Sequence, residues 1–176
     1  SVFEKQAEQK GLTYQCTTKI QHPYVYCDQI KVEEILLNIV GNSIKYTDEG
    51  MVLIQIEETE PGHFQCMIQD TGIGMSEEFL PSLFELFTRE RNTTLSKIPG
   101  TGLGMAIVKN LVDLMNGSIE VESELGKGST FTITIPHKIA NKDYTNRNIE
   151  SSNELDIDFK GKRILLAEDN ELNAEI

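Results

Sequence analysis

Two glycine clusters constrain this chain more than any other feature: Asp70-Thr71-Gly72-Ile73-Gly74-Met75 and, further on, Gly100-Thr101-Gly102-Leu103-Gly104-Met105. Glycine lets a backbone turn or approach a neighbour where a Cβ would forbid it, so each cluster is a turn or a cradle. Neither fits the two common phosphate fingerprints. A dinucleotide-type GxGxxG would need glycine at position 77 or 105, where Glu77 and Met105 stand, and GxxxxGK[ST] fails because Val121 lies five residues before Gly126.

The segments around the clusters alternate between helix and strand patterns. From Asp28 to Tyr46 the chain reads as a helix, with Leu36, Ile39, Val40 and Ser43 on one side. At about 100° per residue, Asn38, Asn42 and Lys45 project together from the opposite side within roughly 60°. Val52, Ile54 and Ile56 then alternate as a strand, Glu60-Pro61-Gly62 turns, and Phe64, Cys66 and Ile68 alternate again. The period of two carries Asp70 onto the same inward face. A buried carboxylate needs a donor or a proton. Asp70 therefore either caps the backbone of Gly72 and Gly74 as a turn residue or meets a partner in the interior.

Residues 77–88 form an amphipathic stretch broken at Pro81, and 89–99 lack periodicity. A helix is predicted from about Thr101 to Asn116, ended by Gly117, which places the second cluster at a helix N-terminus, where free N–H groups favour an anion. Ile119 and Val121, then Phe131, Ile133 and Ile135, predict a last hairpin turned by Gly126-Lys127-Gly128. Residues 138–160 are polar and aperiodic, and Ile164-Leu165-Leu166-Ala167 resumes as a short apolar strand ending in Glu168 and Asp169. With 176 residues the chain is long enough for one domain with a core and a tail.

The net charge of −12 and the absence of tryptophan exclude a basic, aromatic nucleic-acid footprint. Cys16, Cys27 and Cys66 are odd in number without CxxC spacing, which argues for reduced cysteines rather than a disulfide framework or zinc site. No apolar run approaches the roughly 18 residues needed to cross a bilayer, and nothing resembles a signal peptide. The chain begins in mid-pattern without Met, so it is expected to be part of a larger protein.

In order, the motifs resemble the ATP-binding superfamily of DNA gyrase, mismatch-repair ATPases, chaperone ATPases and sensor histidine kinases, and most closely the histidine kinase catalytic domain. LLNIVGNSIKYT is similar to the N box, DTGIGM and GTGLGMAIVK to the two glycine boxes, LFELFTR to the F box and GKGSTFTITIP to the terminal hairpin. The resemblance covers about residues 1–137. It implies an α/β two-layer sandwich, a mixed and mostly antiparallel sheet beneath helices, with ATP between the helix layer and a lid over 90–99.

The resemblance also implies roles. Asn42 would be the Mg²⁺ ligand, Lys45 would meet phosphate charge, Tyr46 would lie against adenine and Asp70 would read its exocyclic amine, with Gly72 and Gly74 letting the backbone near the base. Arg89 and the N–H groups of Gly100, Thr101, Gly102, Leu103 and Gly104 would hold phosphates, and Thr130 would line the adenine pocket. Gyrase-type members carry Glu one turn before the Mg²⁺-binding Asn. Asn38 stands there instead, and an amide is a poor general base, which favours transfer to a protein acceptor over hydrolysis.

In that family the acceptor is a histidine on a helical dimerisation domain. His22, His63 and His137 do not fit that role, so the acceptor is expected outside this chain. The segment KRILLAEDNELNAEI resembles the start of a response-regulator receiver domain, in which Glu168 and Asp169 would help hold Mg²⁺. Together these imply a hybrid sensor histidine kinase: residues 1–137 catalytic, 138–160 linker, 161–176 receiver. Its partners would be ATP, the dimerisation domain and the receiver, with no nucleic acid and no membrane contact by this part, which is expected in the cytoplasm whether or not the parent is membrane-anchored. A gyrase-type ATPase and a non-catalytic nucleotide sensor are the alternatives.

Overall fold

The computed structural model describes residues 2–88 and 101–140. Its centre is a five-stranded sheet made of β1 (Thr13–Lys19), β3 (Met51–Glu60), β4 (His63–Asp70), β5 (Ser118–Glu124) and β6 (Gly128–Pro136), in the order β1-β3-β4-β6-β5. Only β1 and β3 pair in parallel. A parallel pair needs a crossover, which α2 (Gln29–Tyr46) supplies. With α1 (Val2–Gln9) and α3 (Gly104–Leu114), α2 covers one face of the sheet, the mixed, mostly antiparallel two-layer arrangement that the sequence implies. A short antiparallel pair, β2 (Val25–Tyr26) with β7 (Lys138–Ile139), carries the fold to Ala140, three residues past the expected boundary at 137.

The core follows from the two periodicities. Helix α2 buries Ile35, Ile39, Val40, Ser43 and Ile44, a stripe rotated slightly from the expected one, with Leu36 at its margin. Val108 and Val112 of α3 and Val52, Ile54, Ile68, Phe131, Ile133 and Ile135 of the strands complete it. Asp28 caps α2 by accepting from the Lys31 N–H at 3.2 Å.

Helix α3 begins at Gly104, not Thr101, because Gly102 at φ +74° cannot continue a right-handed helix. Its end also differs from expectation. Asn116 at φ +54° takes the left-handed position, and the Gly117 N–H returns to the Val112 carbonyl at 2.9 Å, a Schellman closure. Gly117 is needed for space, since a Cβ there would lie 2.6 Å from the Thr134 carbonyl oxygen.

The segment before β2 is fastened by one carboxylate. Glu58 accepts from the Gln21 and His22 N–H groups at 2.9 and 2.8 Å and from Gly62 at 3.2 Å, and meets His22 Nδ1 at 2.7 Å. Burial pushes the Glu58 carboxyl up, but the His22 ring and these N–H groups outweigh it and hold it at about 2.

Candidate functional site

Asp70, the last residue of β4, is the one carboxylate among the buried residues described, 7% exposed. Its Oδ1 accepts from the Gly72 N–H at 3.0 Å and the Ser129 N–H at 3.2 Å, and its Oδ2 from the Ser43 hydroxyl at 3.0 Å. Both readings of this acid hold in part: it caps Gly72, though not Gly74, and it has interior partners. Burial raises its carboxyl above the ordinary range, and the Gly72, Ser43 and Ser129 donors pull the other way.

A cavity of about 220 Å³ opens beside it. Helix α2 lines one wall with Asn38, Asn42, Ser43, Lys45 and Tyr46, three of which are the amide and ammonium groups that share a face in the sequence. Ile73, Met75, Phe79, Leu83, Met105 and Phe131 supply apolar wall, and Gly74, Thr88, Thr101, Gly102, Gly104 and Ser129 complete the lining. The Lys45 ammonium lies 4.7 Å from the Tyr46 ring centroid, a cation–π distance.

The acid and the α3 N-terminus stand at different points along α2. Asp70 is tied to Ser43, whereas a Cβ on Gly104 would lie 2.5 Å from Asn38 Oδ1. Five residues of α-helix separate those anchors by about 7.5 Å along the axis. Leu103, the N-cap of α3, offers no side-chain cap to the first N–H groups of the helix, and Gly104 and Met105 of that first turn line the cavity. The site therefore has a buried, hydrogen-bonded carboxylate at one end and a helix start, which favours an anion, at the other.

The loop after Asp70 is held in place from three directions. The Ile73 N–H donates to the Tyr46 carbonyl at 3.1 Å, the Gly126 N–H to the Ile73 carbonyl at 2.7 Å, and the Met75 N–H to the Ser123 hydroxyl at 2.9 Å. Gly74 stands at φ +63°, where a Cβ would be 2.0 Å from the Glu124 carbonyl oxygen.

Among the described residues, three of the expected ones stand outside the cavity lining. Thr130 does not line the cavity; β6 alternates, and Ser129 and Phe131 face it while Thr130 pairs with Gln69 on the other face. Gly72 is packed tightly on its side-chain side, since a Cβ would meet the Tyr46 carbonyl oxygen at 2.5 Å and Thr47 Oγ1 at 2.8 Å. Leu103 directs its N–H to Thr101 Oγ1 at 3.4 Å and is not part of the lining. Arg89, Gly100, the 90–99 lid, Glu168 and Asp169 lie outside the described residues. Ser43 and Ser129, which hold the Asp70 carboxylate, are polar site residues that the sequence did not single out. Ser43 had a signal, as the one hydroxyl in an otherwise apolar stripe.

Among the described residues no cluster of three His, Cys, Asp or Glu could hold a metal. Asn42 lines the cavity with its Nδ2 donating to the Met105 sulfur at 3.7 Å, which leaves its Oδ1 as a hard oxygen of the kind Mg²⁺ takes. That fits an ion carried mainly by a ligand's phosphates. No helix among these residues is long and apolar enough to cross a membrane.

Residues 27–139 match the family described as histidine kinase-, DNA gyrase B- and HSP90-like ATPase. The chain is 32% identical over 185 residues to the autoinducer 2 sensor kinase/phosphatase LuxQ of Vibrio parahaemolyticus, covering all of this chain and 21% of that protein. It is 32% identical over 170 residues to the aerobic respiration control sensor protein ArcB of Escherichia coli K12, covering 96% of this chain and 21% of that one. The chain thus spans about a fifth of these curated relatives. Among solved structures, full-length ShkA in complex with AMPPNP aligns with a TM-score of 0.69 at 30% identity, over 79% of this chain and 28% of that one. The mycobacterial sensor histidine kinase MprB aligns at 0.63 and 25% identity, over 78% and 91% respectively.

Proposed function

The chain belongs to the family of histidine kinase-, DNA gyrase B- and HSP90-like ATPases, and from that premise we propose that it binds Mg-ATP as the catalytic part of a hybrid sensor histidine kinase. The γ-phosphoryl group passes to a histidine on a dimerisation domain of the parent protein. Adenine occupies the Asp70 end, its exocyclic amine donating to the carboxylate, and the phosphates lie toward Asn42, Lys45, Thr101, Gly102 and the α3 start. Arg89 and Gly100 extend the phosphate-binding set. Asn42 would hold Mg²⁺ together with the phosphates, and the bound ion would supply neutralisation of their charge. The chain's own work is positioning and electrostatics: Lys45 and the α3 N–H groups hold the phosphates in line for an external nucleophile.

One observation carries transfer over hydrolysis. Asp70 is the only carboxylate among the described residues that line the cavity, and its oxygens are engaged by Gly72, Ser129 and Ser43. Asn38 occupies the α2 position facing α3, and its Nδ2 donates to the Glu34 carbonyl at 2.8 Å. Among the described residues, no lining side chain is therefore placed to take a proton from water.

Residues 161–176 read as the start of a receiver domain, in which Glu168 and Asp169 would help hold Mg²⁺, and the linker starts after Ala140. The catalytic part works in the cytoplasm, where ATP is available. With γ-labelled ATP, the parent protein is expected to gain an acid-labile label, lost in Asn42→Ala, while the present chain alone releases almost no phosphate. Multiple-turnover hydrolysis by this chain, at the 1 s⁻¹ order common to enzymes, would replace this reading with an ATPase. Absence of label from the parent would favour a nucleotide sensor.

A further inference from the structure

We infer that Lys10 is a positioning residue for the base end of the nucleotide site, an inference that rests on the ATP-binding reading. Lys10 follows α1, and its ammonium reaches the C-terminal end of α2. There it donates to the carbonyls of Ile44 at 2.9 Å, Lys45 at 3.2 Å and Thr47 at 2.8 Å, and lies 3.5 Å from Asp48 Oδ1. Two of these three acceptors belong to the last helical turn, which has no following turn to bond with. A cation at that end also meets the negative pole of the helix dipole.

The consequence lies on the other side of the same turn. With the carbonyls of residues 44, 45 and 47 engaged by Lys10 and that of Ser43 by the Thr47 hydroxyl at 2.7 Å, the Tyr46 carbonyl receives the Ile73 N–H at 3.1 Å. This bond joins α2 to the loop that carries Ile73, Gly74 and Met75 into the cavity. Ser43, whose carbonyl Thr47 takes, is also the residue whose hydroxyl holds Asp70 Oδ2. Lys10 thus fixes the turn from which both the base-facing loop and the Asp70 carboxylate take their position. It touches no ligand itself; it acts through the α2 end, and it ties α1 to the adenine half of the site while leaving the α3 start untouched.

The test is calorimetric titration of wild type, Lys10→Met and Lys10→Arg with Mg-ATP and Mg-GTP, each well below its melting temperature. Lys10→Met is expected to weaken ATP about tenfold while GTP changes little, so that the preference for ATP shrinks, with Lys10→Arg within about threefold of wild type. A role confined to fold stability would lower the melting temperature and leave the ATP-to-GTP ratio where it was, and that result overturns the inference. Should Lys10→Met not fold, Lys10→Gln, which keeps one donor without the charge, is read by the same ratio. Failure of the wild type to bind ATP would count against the site assignment itself, so the two failures are distinguishable.

Discussion

Asp70→Asn is expected to weaken ATP binding about 10- to 100-fold, the cost of losing a hydrogen bond to a charged acceptor worth ~1.5–3 kcal/mol. The melting temperature is expected to stay level or rise. Both parts follow from the surroundings of one carboxyl. Asparagine keeps an oxygen for the Gly72 and Ser129 N–H groups, and its amide can donate to the Ser43 hydroxyl, so the local bonds of the free protein survive. It also removes a carboxylate whose ionisation burial opposes, a cost to the wild type that grows as pH rises above the ordinary value of 3.8. With ATP bound the sign reverses. An amide NH₂ turned toward the adenine amine presents donor to donor, and the exocyclic group loses its acceptor. Isothermal titration and thermal melts on one preparation separate the effects. Equal loss of affinity and stability would mean that Asp70 is only a structural cap.

Gly74→Ala is expected to have the second large effect, a loss of ~3 kcal/mol or more in urea-unfolding stability, with ATP binding lost in the molecules that remain folded. Alanine at φ +63° adopts the left-handed region at a cost of about 1 kcal/mol. The greater cost is steric, because the new methyl would sit 2.0 Å from the Glu124 carbonyl oxygen and 3.1 Å from that of Gly128. Those atoms are backbone of the β5–β6 hairpin and cannot swing aside as a side chain would. The loop is already fixed by Ile73 to Tyr46 and Gly126, so it cannot retreat without giving up those bonds. An urea midpoint close to the wild-type value would show that the loop moves freely, and the preorganised base end would have to be abandoned.

The parts of the fold legible in the sequence are those with one buried face. Val52, Ile54, Ile56 and Ile68 announced β3 and β4 by alternation, and the same period correctly put Asp70 inside. Strand β1 was illegible for the complementary reason: Thr13–Lys19 is an edge strand, mostly exposed, and TYQCTTK has no apolar alternation to read. Helix α1 buries only Ala7, too little for a periodic signal. Strands β2 and β7 have two residues each and exist through pairing with each other.

The site divides in the same way. The shared face of Asn38, Asn42 and Lys45 is a property of helical spacing and could be read in advance. The contacts that make Asp70 tolerable come from Ser43 and Ser129, 27 and 59 residues away, and no local rule connects them. Thr130 shows how narrow the margin is. In a strand an error of one residue transfers a side chain to the opposite face, and Ser129 holds the place expected of it.

The measurement closest to the central claim is calorimetric titration of this chain with ATP and with GTP, each with and without Mg²⁺. The account predicts saturable binding of ATP at one site, strengthened by Mg²⁺, and GTP weaker by about tenfold or more, because guanine presents a carbonyl where adenine presents the amine that Asp70 accepts. GTP binding as tightly as ATP, or no binding of either nucleotide, would contradict it.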